Sequence, residues 1–359
     1  MSVPLRLLLG PGPSPVSDRV MRALASPVLS HLDPYLLDVM DGLRRRLSSV
    51  FRAGPNALAL ATSGTGTSGM EAAVANVTKP GATATVIVTG YFGERLAQMF
   101  ERYGAHVERI QMEWGRACDP TAVDTALRAR RPDLLGVVHA ETSTGVLNPV
   151  DDIARIARQH DSLLVVDTVT SLGAMPLDMS SWGPAVAYSC SQKGLGAPSG
   201  LAPLCFSAEA LGRRVTSRSF YLDLSLLEDY WAHRKYHHTI SSPLILALNE
   251  ALAIVEEEGL DARCTRHRDN HLALVRGLEE MGLSLLPPAG ERLWTLNAVR
   301  VPEGMDDAAV RRALLARFGI EIGAGLGPLA GRLWRIGLMG AGSTPENVTT
   351  FLNALRHLL

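Results

Sequence analysis

The amino-acid sequence predicts an α/β protein: a large domain built on a mostly parallel sheet, followed by a smaller C-terminal α/β domain. Three observations carry that expectation. Short, near-continuously apolar β-type runs recur at Ala57–Ala61, Thr85–Val88, Leu134–His139, Leu163–Asp167, Ala185–Tyr188 and Leu201–Phe206. They alternate with helical stretches at Met70–Val77, Glu94–Arg102, Pro120–Ala129 and Asp151–Gln159. Strand–helix alternation with strands of this kind means a largely parallel sheet covered on both faces. Thirdly, the character changes after Ser242-Pro243.

Taken in order, residues 1–19 read as an irregular N-terminal arm, because Gly10-Pro11-Gly12-Pro13-Ser14-Pro15 suits neither helix nor central strand. Asp18–Ala25 and Pro34–Phe51 carry apolar residues at helical spacing; in the second these are Leu36, Leu37, Met40, Leu43, Leu47 and Val50. The sheet units follow. Beyond Ser242-Pro243 come a long helix, roughly Leu244–Glu257, and a second at Asp261–Met281. Trp294–Val301, Asp306–Phe318, Leu333–Leu338 and Pro345–Leu359 then form the smaller α/β unit. The large domain is expected to span 20–250 and the small one 251–359, with the boundary near 245–260.

Composition excludes several classes. With 47% hydrophobic and 20% charged residues the chain is that of an ordinary soluble globular protein. A formal net charge of −1 leaves no basic footprint for nucleic acid and no electrostatic attraction to a membrane. No run approaches the ~20 apolar residues of a spanning helix, and Leu7-Leu8-Leu9 is too short for a signal sequence. Cys118, Cys190, Cys205 and Cys264 form no C-x-x-C pair, which argues against zinc and against a disulfide framework. The terminal His357-Leu358-Leu359 is not a peroxisomal tripeptide of the S-K-L kind. A reduced, cytoplasmic setting is expected.

One lysine organises the chemistry. Of 35 Lys+Arg, only Lys79, Lys193 and Lys235 are lysines, leaving 35 − 3 = 32 arginines. Where a cationic surface suffices, the chain uses Arg. Lys193, set among small and polar residues in Ser189-Cys190-Ser191-Gln192-Lys193-Gly194, therefore points to chemistry that needs an amine. An ε-amine can lose its proton and condense with an aldehyde; a guanidinium cannot. Such a lysine in a pyridoxal-phosphate site works with a carboxylate that keeps the pyridinium nitrogen protonated, and Asp167 ends an apolar run nearby in sequence. The plainer reading makes Lys193 a loop lysine and Asp167 a helix cap.

Ser63-Gly64-Thr65-Gly66-Thr67-Ser68-Gly69-Met70-Glu71 follows a strand and opens a helix, the setting of an anion site. Gly64, Gly66 and Gly69 also match G-x-G-x-x-G. Against a dinucleotide, the next strand ends in Thr89-Gly90 without a ribose-binding carboxylate, and the hydroxyls suit a single terminal phosphate. His139-Ala140-Glu141-Thr142-Ser143-Thr144-Gly145 is by itself a polar loop. In Tyr236-His237-His238-Thr239 the adjacent histidines are expected to point in opposite directions on an extended segment, so no metal is expected. Arg335, inside the apolar run Leu333–Leu338, calls for an anionic partner: an interdomain carboxylate or a substrate's. No second arginine in these motifs would welcome a side-chain carboxylate.

Together these segments resemble the class V, fold-type I pyridoxal-phosphate aminotransferases of the alanine–glyoxylate and serine–glyoxylate group. The resemblance covers Leu8–Ser14, Ser63–Glu71, Glu141–Val146, Val166–Gly173, Ser191–Lys193, Tyr236–Thr239 and Arg335–Gly337, seven motifs in family order. It implies a seven-stranded-type sheet, pyridoxal 5′-phosphate as cofactor, and a homodimer with shared active sites acting on small amino acids and oxoacids. It also implies the site roles. Lys193 would bind the cofactor and shuttle a proton, Asp167 would pair with the ring nitrogen, and Val169 would pack on the ring. Thr65, Gly66, Thr67 and Gln192 would hold the phosphate. Phe92 would stack on the ring, Thr142 would reach its hydroxyl, and Tyr236 and Thr239 would reach the neighbouring subunit's phosphate. Arg335 would take the substrate carboxylate, with the Gly10–Gly12 arm, Gly12 included, closing over it. Phe92 stands where relatives often have Trp, and Thr67 where some carry His. The implied reaction moves the amino group of alanine or serine to glyoxylate. Alternatives are ureidoglycine–glyoxylate or serine–pyruvate exchange, a cysteine desulfurase-like lyase, a nicotinamide enzyme, or a non-catalytic binding module of the same fold.

Overall fold

The computed structural model describes residues 3–359. Where the sequence predicts an irregular arm, Leu7–Leu8 form a short strand, β1, paired in parallel with Ile320–Glu321. The reason lies in the three leucines. Leu9 is fully buried in the C-terminal core, and burying it brings the arm's amides to the Gly319 and Glu321 carbonyls, both at 2.9 Å. Beyond Leu9 the arm has no further strand pairing until helix α1 (Asp18–Leu24), capped by Ser17. Helix α2 (Pro34–Val50) starts at Asp33, whose side chain accepts from the Tyr35 amide, and buries the six predicted apolar residues.

The central sheet has seven strands. They are β2 (Leu58–Gly64), β3 (Thr83–Val88), β4 (His106–Gln111), β5 (Leu134–Val138), then, past the hairpin β6 (Ala140–Glu141) and β7 (Val146–Leu147), β8 (Leu163–Asp167), β9 (Ala185–Tyr188) and β10 (Gly200–Phe206). Their order is β2-β10-β9-β8-β5-β3-β4, and every pair is parallel except those made by β10. Helices α3 (Gly66–Ala75), α4 (Tyr91–Arg102), α5 (Pro120–Arg130) and α6 (Val150–Gln159) connect the strands. Val138, Asp167 and Tyr188 are register partners across β5, β8 and β9, so these strands end in one line. Ligands of such sheets bind beyond the strand C-termini.

Helices α7 (Ala208–Leu211) and α8 (Leu224–His233) lead to α9 (Ser242–Glu258) and α10 (Leu260–Glu279), which are separated by Gly259 at φ 80°. A second unit holds β11 (Leu296–Arg300), α11 (Asp307–Phe318), β12 (Ile320–Glu321), β13 (Gly323–Ala324), β14 (Leu333–Gly337) and α12 (Pro345–Arg356). Its sheet, β11-β14-β13, is antiparallel. Three hydrophobic clusters form among the described residues, two of them large and a small one around Ala140, Met175 and Leu296. One large cluster gathers residues from Val20 to Val255 around the large sheet. The other large one joins Leu274, Val299, Leu314, Trp334 and Phe351 with Leu9 of the arm. Among the described residues no helix is long and apolar enough to cross a membrane.

Candidate active site

A cleft of about 590 Å³ opens at the C-terminal ends of β5 and β8. Nine of the residues singled out in the sequence line it: Thr65, Gly66, Thr67, Phe92, Thr142, Asp167, Val169, Gln192 and Lys193. They come from five separate connections, after β2, β3, β6, β8 and β9, which the strand ends bring together.

Asp167 is the last residue of β8 and is buried; its Oδ1 accepts the Val169 amide at 2.8 Å. Burial pushes its carboxyl up to about 7, against the pull of that amide. Lys193 stands on the turn after β9, and its Nζ donates to the Pro11 carbonyl of the arm. Burial, assisted by the nearby Arg335 charge, holds the amine below the usual lysine range. The arm is also fastened to this turn at Ser14, whose amide donates to the Gln192 carbonyl and whose hydroxyl donates to the Lys193 carbonyl, each at 2.9 Å. Gly12 is required here: it sits at φ 107°, and a Cβ there would run into the Lys193 side chain.

The loop Ser63–Thr67 turns directly into α3, which begins at Gly66, four residues earlier than the periodicity predicts. Thr65 is the N-cap and makes no side-chain capping bond. Among the described residues the Gly66 and Thr67 amides have no acceptor, so hydroxyls and free N–H groups share one helix end. Gly66 allows the approach, since a Cβ would lie 2.9 Å from Val169 Cγ2. Gln192 Oε1 is buried without a partner among the described residues. Free N–H groups at an uncapped helix terminus fit a phosphate group.

Arg335 of β14 is buried and forms no ion pair among the described residues. Its Nε donates to Ala324 O at 2.6 Å and its Nη1 to Thr142 O at 3.4 Å, so it spans the two units. Burial pushes the guanidinium down to about 10. The structure therefore does not make it half of an interdomain ion pair.

Tyr236, 60% exposed, and Thr239 do not line this cleft. The segment is tied to the Ser63–Thr67 loop by His238 Nε2, 3.0 Å from Ser63 Oγ. The two histidines do not point in opposite directions: their ring centroids lie 5.1 Å apart and both rings contact Tyr221. The chain bends at His238 rather than running extended, which removes the alternation.

Two charged residues near the cleft carried no role in the sequence reading. Arg95, three residues after Phe92 on α4, lines the cleft and lies 5.0 Å over the Phe92 ring and 5.1 Å over that of Tyr91. It donates to Thr67 Oγ1 at 3.2 Å. The sequence does contain a second cleft arginine, then, and helical spacing from Phe92 was the signal for it. Glu141, beside Thr142, is fully buried.

A family model, aminotransferase class V, matches residues 15–333. The chain belongs to the class V aminotransferases. It is 38% identical to alanine–glyoxylate aminotransferase of Drosophila melanogaster, with 99% of this chain and 93% of that protein aligned. It is 35% identical to (S)-ureidoglycine–glyoxylate transaminase of Bacillus subtilis, covering 100% and 92% respectively. The crystal structure of alanine–glyoxylate aminotransferase from Nostoc sp. superposes with a TM-score of 0.97 at 44% identity, covering 100% of this chain and 96% of that one. The class V fold, with its mostly parallel sheet and connecting helices, is the one described above, and amino-group transfer is the reaction class of the family.

Proposed function

We propose that this class V aminotransferase holds pyridoxal 5′-phosphate in the cleft and moves the amino group of a small neutral amino acid, alanine or serine, to glyoxylate, giving glycine and a 2-oxoacid. The observation that carries the reading is the enclosed Lys193 amine beside the buried Asp167 carboxylate, facing the uncapped start of α3. Thr65, Gly66, Thr67 and Gln192 would hold the phosphate, Val169 and Phe92 would pack on the ring, and Thr142 would bind its hydroxyl. When bound, the cofactor supplies an electron-withdrawing ring that stabilises negative charge at the substrate α-carbon.

The chain's own residues supply the rest. Asp167 keeps a proton on the ring nitrogen. Lys193 Nζ takes the proton from the donor's α-carbon and later returns one to the α-carbon of the product; burial lowers its basicity and so favours the neutral amine that this needs. Arg335 takes the substrate carboxylate with its unused N–H donors, and the arm, held to the Lys193 turn through Ser14, restricts water on that side. Tyr236 and Thr239 lie outside their own cleft and would serve the partner subunit's phosphate in a cytoplasmic homodimer. A desulfurase-like reaction is not supported. All four cysteines are buried, and burial pushes their thiols up to about 12 for Cys118, Cys190 and Cys205 and about 11 for Cys264.

The test is an absorbance spectrum followed by a donor panel. A visible cofactor band should shift when alanine or serine is added, with glycine formed once glyoxylate follows. A colourless protein that does not take up pyridoxal phosphate refutes the reading. Ureidoglycine outrunning alanine and serine, or pyruvate outrunning glyoxylate, would move it to the neighbouring substrate pairs.

A further inference from the structure

Glu141 ends strand β6, has no exposed surface, and enters none of the roles above. Four donors converge on it. Its Oε2 accepts the Phe92 and Gly93 amides, both at 3.1 Å. Its Oε1 accepts the Ser143 amide at 3.1 Å and the Ser143 hydroxyl at 2.6 Å. Ser143 Oγ in turn accepts the Tyr91 amide at 2.9 Å.

These contacts replace a missing cap. Helix α4 starts after Gly90, which has no side chain to satisfy the first amides. A Cβ at Gly90 would run into Ser143 Oγ and lie 2.6 Å from Glu141 Cγ. Its φ of 172° is ordinary extended backbone, so closeness rather than conformation calls for glycine there. The loop from β6 thus caps the helix from outside it, and the capped residues include Phe92.

The same loop reaches the other half of the site. Thr142, next in sequence, lines the cleft, and its carbonyl accepts Nη1 of Arg335 at 3.4 Å. A carboxylate is the side chain that suits this place. Ionised, it offers only acceptors, enough for all four donors, and it sits at the positive end of a helix. Glutamine would turn an NH₂ toward one pair of donors and leave them unsatisfied. Burial pushes the Glu141 carboxyl up and the Ser143, Gly93 and Phe92 donors pull it back; in its ionised form it opposes the loss of the Arg335 charge that burial favours.

We propose that Glu141 is a positioning residue of this site: it fixes the first turn of α4, and with it the Phe92 ring, relative to the Thr142 carbonyl that steadies Arg335. The inference rests on reading the cleft as a cofactor and amino-acid site. Any shift of the loop that relieves an unsatisfied position 141 moves the Phe92 backbone and the Thr142 carbonyl together. Cofactor affinity and substrate KM should therefore change in concert.

The experiment compares wild type, Glu141→Gln, Ser143→Ala, Phe92→Leu and the Glu141→Gln/Phe92→Leu double variant. Apoenzyme is titrated with pyridoxal phosphate by fluorescence quenching, and KM for alanine and glyoxylate is measured at saturating cofactor. Glu141→Gln should raise the cofactor Kd about tenfold (~1.4 kcal/mol) and both KM values several-fold, with kcat changed less. Ser143→Ala should show the same pattern at smaller amplitude. Because Glu141 acts through Phe92, its effect on cofactor Kd should shrink in the Phe92→Leu background; full additivity overturns the proposal. So does a Glu141→Gln protein with wild-type Kd and KM and only a lower melting temperature. If that variant does not fold, wild-type Kd and KM in Ser143→Ala overturn it. A wild type that binds no cofactor refutes the reading of the cleft instead, which separates the two failures.

Discussion

Replacing Arg335 by lysine keeps the charge and removes the fork. Two of the five guanidinium N–H groups are engaged, one by Ala324 O at 2.6 Å and one by Thr142 O at 3.4 Å, which leaves 5 − 2 = 3 for a substrate. Three remaining donors on a planar group can grip a carboxylate bidentately; an ammonium at that depth acts as a point charge. Losing one good charge-assisted hydrogen bond to a buried partner costs about 1.5–3 kcal/mol, or roughly ten- to a hundredfold in affinity. The lysine also abandons Ala324 O, so its head group is less well held and the upper half of that range is expected. The assay is steady-state kinetics at saturating cofactor, with alanine and glyoxylate varied in turn. Both KM values should rise by that factor, because donor and acceptor carboxylates use the same residue. The cofactor spectrum should not change, since Arg335 bonds the main-chain carbonyls of Ala324 and Thr142 and no side chain proposed to hold the cofactor. Unchanged KM values for both substrates would refute the reasoning. Aspartate or glutamate emerging as the best donor would do the same, because the site would then be built for a second carboxylate.

Four further outcomes follow from the geometry. Lys193→Ala should abolish turnover while the protein stays folded, and borohydride reduction of the wild type should label the peptide containing Lys193; label on Lys79 or Lys235 would contradict the assignment. Asp167→Asn should lower kcat by orders of magnitude with little loss of stability, whereas near-normal half-reaction rates would reduce Asp167 to the acceptor of the Val169 amide. Subunit exchange between Lys193→Ala and a Tyr236 variant defective in phosphate binding should restore activity, one site of each heterodimer being intact; proven heterodimers without recovery would exclude a shared site. Buried His267, between Arg263 O at 2.7 Å and the Gly340 amide at 3.1 Å, is pushed from 6.5 down to about 3. The unfolded chain binds its proton first, so this contribution to stability is complete above pH 6.5 and is lost as pH falls toward 3. His267→Gln should flatten urea midpoints measured between pH 7 and 5.

Much of this arrangement is readable from the residues, and the failures have identifiable causes. Leu163–Asp167 and Ala185–Tyr188 match β8 and β9 residue for residue, because both runs are wholly buried and sharply bounded. Strand β4 is absent from the sequence pattern: His106-Val107-Glu108-Arg109-Ile110-Gln111 lies at the sheet edge, half exposed, and has no apolar run to announce it. The reversed direction of β10 leaves no mark on its composition. Helix α3 starts early because packing against β9 and β10 overrides the low propensity of Gly66 and Gly69. Arg95 does not stand out in the sequence because a lone arginine on an amphipathic helix looks like part of a solvated face. Glu141 does not stand out either, because one carboxylate in a polar loop looks like any other; only the fold reveals its burial and the four donors around it.

The three groups that would meet the reacting molecules share one physical cause for their perturbation, and each responds in its own chemical sense. Burial favours the neutral form of every ionisable group. For Asp167 that means a carboxyl raised to about 7, for Lys193 a lowered amine and for Arg335 a guanidinium lowered to about 10. A buried acid of this kind gains most from a cationic ring nitrogen, an amine of lowered basicity more readily sheds the proton that blocks attack on an aldehyde, and a buried guanidinium gains most from a carboxylate. Arg95 differs. It is half-buried, it already donates to Thr67, and it lies over the rings of Tyr91 and Phe92. Its energetic need for a further anion is correspondingly smaller than that of Arg335. The two arginines are therefore unequal as carboxylate anchors, and that inequality is the physical basis for expecting a donor with one carboxylate and an uncharged side chain.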